Sequence, residues 1–167
     1  MKQLIQTLIK AGSLFLVLAF IVFSGCQQQP DYSKELKPIF DKYYEVWQTN
    51  NLDDLDAIID PNFVRHADSA SSANGLEELK KVIREFNNNL SNMKLVSEEE
   101  IFTENKFAGR WSVIATHTAS GMSVKQWGNN IIHFKDGKIV EEWDGFDNLQ
   151  LMEQLGFSMM PPAAEKK

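Results

Sequence analysis

The stretch WGNNIIHFKDGKIVEEWDGFD, residues 127–147, reads as two strands around one tight turn. Asp136-Gly137 between apolar-rich runs fits a two-residue type I′ turn, whose central positions both need positive φ. A hairpin closed there sets Phe134 opposite Ile139, His133 opposite Val140, Ile131 opposite Glu142 and Asn129 opposite Asp144. Strand alternation then gives one face to Asn129, Ile131, His133, Val140, Glu142 and Asp144. The other face takes Asn130, Ile132, Phe134, Ile139, Glu141 and Trp143. Both faces mix polar with apolar groups, which suits a sheet lining a half-polar cavity better than a plain core.

Upstream, Leu36, Ile39, Phe40, Tyr43, Tyr44 and Trp47 recur at three- and four-residue steps. This predicts an amphipathic helix with Pro38 in its first turn. Asn51 is placed to cap a second helix carrying Leu52, Leu55, Ile58 and Ile59, which Asp60-Pro61-Asn62 ends. Residues 63–66 form a brief strand-like piece, and 67–74 a polar loop. Gly75 opens a third helix with Leu76, Leu79, Val82, Ile83, Phe86 and Leu90 on one face. From residue 93 the pattern predicts strands over 93–102, 107–118, 122–134 and 139–144, then a short helix after Asp147. The sum is an α+β domain: about three N-terminal helices packed on a curved four-stranded antiparallel sheet, with a short C-terminal helix.

The N-terminus has a different character. Lys2 and Lys10 precede an apolar run from Leu14 to Phe23, which ends at Ser24-Gly25 before Cys26. A basic start, a short apolar segment and a small-residue site describe a secretory signal. The apolar core is shorter than the ~20 residues a membrane span needs. Cys26 is the only cysteine in the chain, and its setting resembles the lipobox of bacterial lipoproteins. The resemblance implies a signal peptide over residues 1–25, an acylated Cys26 as membrane anchor, and residence in the cell envelope outside the cytoplasm. Gln27 is not the aspartate that retains some lipoproteins at an inner membrane, so the implied site is the outer membrane if the cell has one. Residues 26–33 are then a tether, 34–156 the domain and 157–167 a loose tail. Without Lys2 and Lys10 the balance is 15 basic to 23 acidic residues, a net −8. That charge excludes a nucleic-acid partner, since phosphate binding needs a basic patch.

Several fragments, in this order, resemble SnoaL-like proteins: Tyr43-Tyr44-x-x-Trp47 with Asn51-Leu52-Asp53-Asp54-Leu55, then Phe63-Val64-x-His66, and Gly75 with Leu76-Glu77-Glu78-Leu79. Arg110-Trp111 with Thr116-His117-Thr118 continues the series, and the hairpin with its exit at Phe146-Asp147 completes it. The resemblance spans about 34–156. It implies the nuclear transport factor 2-like fold, a cone of curved sheet closed by helices around a pocket. It also implies no cofactor, and a homodimer as a common assembly. Fold alone leaves function open between cyclases, isomerases, dehydratases, binding-only proteins and dimeric interaction modules.

By the same resemblance Asp147 is the acid/base position of the cyclases and His133 its neighbour, while His66, Tyr44, Trp47, Trp111, Asn130 and Trp143 line the pocket. Asp147 has a structural alternative: Gln150 three residues on gives the capping-box spacing, and an Asp cap contributes ~1 kcal/mol. His117 falls near a strand end. His66, His117 and His133 lack metal-ligand spacing, so no metal is expected. Asn130 stands where many relatives carry an aspartate, and the connection from Thr118 to Trp127 is shorter than in cyclases. Both departures favour a binding protein for a small, largely apolar molecule over an enzyme working through Asp147.

Overall fold

In the computed structural model, which describes residues 30–160, helix α1 (Ser33–Thr49) lays its apolar stripe against the sheet. The signal segment, Cys26, residues 26–29 of the tether and the tail beyond residue 160 lie outside the described residues. Helix α1 starts earlier than the pattern implies, because Asp31 accepts from the Ser33 hydroxyl at 2.6 Å and Tyr32 O accepts from the Leu36 amide at 3.1 Å. Pro38 therefore sits in its second turn. Asn50, left-handed at φ 57°, ends the helix by returning its N–H to Val46 O.

The expected second helix is shorter: a 3₁₀ turn (Leu52–Asp54) runs into α2 (Leu55–Ile58), and Ile59 already belongs to strand β1 (Ile59–His66). Asn51 does not cap it; its amide donates to the Asp54 carboxylate at 2.7 Å instead. Strand β2 (Ala73–Asn74) follows the loop, and Gly75 at φ 95° turns the chain into α3 (Leu76–Asn89). Long strands β3 (Leu90–Thr103), β4 (Lys106–His117), β5 (Ser123–Lys135) and β6 (Lys138–Phe146) come next, then α4 (Asn148–Gln154).

Two expectations about the architecture are corrected. The described residues hold four α-helices, three before the long strands and a short one after them, but the sheet has six strands, not four, in the order β2-β1-β6-β5-β4-β3. It is mixed: β1 runs parallel to β6, while β2 and all other neighbours pair antiparallel. Local pattern announces only residues 63–66 of β1, because its parallel partner β6 lies more than seventy residues away and Pro61 interrupts the strand. The ladder tolerates Pro61 because it falls in the irregular stretch between the Ile59 and Val64 pairs.

The hairpin closes as expected, with Asp136 at φ 51° and Gly137 at φ 75°. One residue into the ladder the register changes. Phe134 pairs with Ile139, but His133 pairs with Glu141, so Val140 is the extra residue of a β-bulge. From there on β6 is out of phase with the expected register by one residue. Asn130 faces Asp144 and Ile132 faces Glu142 on the concave side, while Ile131 faces Trp143 on the outer side. The bulge decides which carboxylates enter the cone.

The concave face is filled by Phe40, Tyr43, Val46, Leu55, Phe63 and Phe107, with Leu79 and Ile83 from α3. Phe40 stacks on Phe107 at 4.1 Å between ring centroids. Each such burial contributes roughly 1.5–3 kcal/mol. On the same side a Cβ at Gly128 would stand 2.5 Å from Trp111 Cζ2 and 2.6 Å from Gly145 O. Glycine there lets the indole lie against β5.

Candidate functional site

Between α1, α3, α4 and the concave sheet lies a cavity of about 450 Å³. Its walls include Phe86, Leu95, Val113, Phe146, Leu151 and Met152, with the rings of Trp47 and Trp111. Its floor is polar. Glu142 and Asp144, two residues apart on β6, project to the same side, and β1 alongside brings Arg65 between them. Their side chains are only 3%, 7% and 5% exposed.

Each nitrogen of the guanidinium donates once. Arg65 Nε donates to Glu142 Oε2 at 3.0 Å, Nη2 to Asp144 Oδ2, and Nη1 to Ser71 O at 2.5 Å. Its plane also lies over the Trp47 ring, 5.1 Å from the centroid. Glu142 Oε2 accepts from Tyr43 Oη at 2.7 Å, and Oε1 from Asn130 Nδ2 at 3.1 Å. Trp111 Nε1 donates to Asp144 Oδ1 at 2.9 Å, and Tyr44 Oη reaches Asn130 Oδ1 at 3.4 Å.

Two carboxylates share one cation, and the balance falls on Asp144. Burial and the Glu142 charge push its pKa up to about 7, against the opposing pull of Arg65 and the Trp111 N–H. Burial also raises Tyr43 well above the ordinary phenol value, with Glu142 adding to it, and Tyr44 is raised by the same causes. Burial works against the Arg65 charge, but Glu142 and the other neighbours outweigh it and hold the guanidinium protonated. The floor therefore carries a net charge between −1 and 0 at neutral pH, with one carboxyl able to give or take a proton there.

The residues expected from sequence divide into two groups. Tyr44, Trp47, Trp111 and Asn130 meet at the cavity. His66, His133 and Trp143 gather on the outer face of the sheet around Glu141, whose oxygens lie 2.9 Å from His66 Nε2 and 3.2 Å from His133 Nδ1. Trp143 stacks on His66 with centroids 4.5 Å apart. For His133 and Trp143 the cause is strand parity combined with the Val140 bulge; His66 points out because Arg65, its neighbour on β1, points in. Asp147 caps α4, its Oδ1 accepting from the Gln150 amide at 2.9 Å. It is not among the residues lining the cavity, and His133 stands near the far end of the β5–β6 ladder from it. His117 lies at the mouth, with Nδ1 2.8 Å from Ser120 Oγ. Among the described residues no group of three or more His, Cys, Asp or Glu is arranged to hold a metal ion.

Arg65, Glu142 and Asp144 are the site residues the sequence did not single out. The available signal was the Glu-x-Asp spacing on β6, which puts two carboxylates on one strand face whatever the register. The second carboxylate thought missing at Asn130 is supplied from the neighbouring strand.

A cone of curved sheet closed by helices over a pocket is the nuclear transport factor 2-like fold, and solved structures bear this out. IdmH from Streptomyces antibioticus, assigned as a polyketide cyclase, superposes with a TM-score of 0.66 at 23% identity, covering 72% of this chain and 98% of that one. A protein of the same assignment from Bacillus cereus ATCC 10987 gives 0.64 at 29%, covering 71% and 78%. An LEH-like epoxide hydrolase from M. tuberculosis gives 0.61 at 15%, covering 73% and 90%, a likeness of fold alone. Residues 38–155 match the SnoaL-like polyketide cyclase family, and the chain belongs to that family. Among curated proteins none matches the chain.

Proposed function

We propose that this chain is a lipid-anchored, extracytoplasmic member of its family that binds a small, largely apolar molecule in the cone cavity. The cavity carries the binding reading: about 450 Å³, apolar walls and one localised polar floor, within the range of small-molecule sites. The anchor rests on the order of Lys2, Lys10, the apolar run and Ser24-Gly25-Cys26. Among the described residues no helix is long and apolar enough to cross a membrane. Replacing Cys26 with serine moves the protein from the membrane to the soluble envelope fraction; unchanged fractionation refutes the anchor.

A second reading is favoured by one observation, the Asp144 pKa of about 7 at the cavity floor. A carboxyl of that acidity among apolar walls suits proton transfer next to a carbonyl, in a cyclisation, isomerisation or dehydration. The acid/base role then belongs to Asp144, with Glu142 and Arg65 setting its acidity, and not to Asp147 with His133. The matched family, SnoaL-like polyketide cyclase, is in keeping with a small organic substrate. The experiment that separates the readings is Asp144→Asn assayed for binding and turnover together. A catalyst keeps its ligand and loses turnover by a factor of 10² or more; a binder shows no turnover in either form.

A further inference from the structure

The charges around the cavity say what kind of molecule it takes, an inference that rests on the binding reading. Four carboxylates line it: Glu142 and Asp144 on the floor, and Asp68 and Glu85 nearer the mouth. The cations are fewer. Arg65 is the single lysine or arginine among the lining residues, and His117 is the single histidine.

The Arg65 charge is already matched by two carboxyls. Its Nε, Nη1 and Nη2 donate to Glu142, Ser71 O and Asp144. An entering carboxylate or phosphate would pass Asp68 and Glu85 and then meet Glu142 and Asp144, two carboxyls that already outnumber the single Arg65 cation. The oxygens of Asp144, by contrast, each receive a single hydrogen bond and retain accepting capacity. Glu85, exposed on α3, makes no hydrogen bond or ion pair among the described residues. Asp68 faces α4 across the mouth, where Asn148 Nδ2 donates to its Oδ2 at 2.5 Å. Neighbouring hydrogen bonds outweigh burial there and hold the Asp68 carboxyl below the usual carboxylate range, so it is ionised at neutral pH. Around these groups stand Trp47, Trp111, Tyr44 and Phe86, aromatic faces that attract cations as well as apolar rings.

We propose that the cavity selects a monocationic apolar molecule, a hydrophobic amine with one ring system and one ammonium group. Glu85 and Asp68 draw the ammonium to the mouth, and Asp144 receives it at the floor while the ring packs on Trp47 and Trp111. A focusing acidic cleft of this kind raises the local concentration of cations and repels anions of the same shape.

Three probes of one shape test this: 1-naphthylmethylamine, 1-naphthylmethanol and 1-naphthoate, titrated calorimetrically into the full chain at pH 8 with the same detergent and salt in every arm. The amine is expected to bind at least ten-fold more tightly than the alcohol, and the carboxylate more weakly than either. Asp144→Asn should abolish the preference for the amine over the alcohol. Should that variant misfold, Glu85→Gln on the exposed rim serves instead: it weakens amine binding two- to five-fold and leaves the alcohol unchanged. Equal binding of the three probes, or tighter binding of the carboxylate, overturns the charge selection and leaves small-molecule binding standing. Failure of all three at millimolar concentration overturns both.

Discussion

Asp144→Asn has a consequence for stability whose sign follows from the buried triad. The carboxyl faces Arg65 Nη2, the Trp111 N–H and the Glu142 carboxylate, with Tyr43 and Tyr44 behind them. Its folded pKa is raised from 3.8 to about 7, so between these values the folded chain keeps a proton that the unfolded chain has lost. Stability contributed by Asp144 is then full below the unfolded pKa, falls as pH rises toward 7, and is flat above. Between pH 5 and pH 7 the slope of 1.36 kcal/mol per unit gives about 3 kcal/mol, an upper bound because Glu142 shares the site. For a domain of this size that is roughly 10 °C in Tm. Asparagine keeps an acceptor for Trp111 and removes the charge, leaving Arg65 paired one-to-one with Glu142. The expected result is that asparagine gains on wild type by several degrees between pH 5 and pH 8, read by thermal unfolding at matched ionic strength. Taking the difference between the two proteins at each pH cancels the three histidines. An offset that stays constant from pH 5 to pH 8 refutes the reasoning, as does a wild type that gains on the variant.

Arg65→Met leaves both floor carboxylates buried without a cation and should destabilise by roughly 3–5 kcal/mol. Adding Glu142→Gln and Asp144→Asn to it should restore most of the loss in chemical denaturation. Gly128→Ala places a Cβ 2.5 Å from Trp111 Cζ2, and should cost about 1–3 kcal/mol while shifting tryptophan fluorescence and weakening cavity binding. Asp147→Ala removes the cap on α4, so a loss of about 1 kcal/mol is expected with cavity binding unchanged. Loss of ligand with an unaltered melting curve would return Asp147 to the site.

The order of elements was legible because its signals are local: the three- and four-residue spacing of α1 and α3, the Asp136-Gly137 turn, the period of two from residue 107 onward. Tyr44, Trp47 and Trp111 line the cavity because helix and strand parity alone direct those side chains inward. The acidic floor was not legible, for two physical reasons. A bulge inserts Val140 without any glycine or proline to mark it, and its effect is to exchange which residues of β5 and β6 share a face. Arg65 arrives from a parallel strand far away in sequence, and a parallel ladder leaves no turn signature between its members. His133 and Trp143 were therefore read as cavity residues when their parity, once the bulge is counted, points them outward.

Stability alone gives no reason for this floor. Replacing a buried ion triad with well-packed apolar side chains is often neutral or stabilising by about 1–4 kcal/mol, and the surrounding core of Phe40, Tyr43, Phe63 and Ile132 could accommodate such packing. The arrangement does supply something an apolar floor cannot. It fixes the Asp144 carboxyl between a guanidinium and an indole N–H, at the end of a cavity wide enough for a ring system, with an acidity near the pH of water. Hydrogen bonds from Tyr43 and Asn130 hold Glu142 in place, and the bond from Arg65 to Ser71 O ties the floor to the loop at the mouth. A ligand reaching Asp144 therefore touches a network that already connects β1, β4, β5, β6 and α1. Whether the group only receives a ligand or also moves a proton depends on the titration of Asp144 itself.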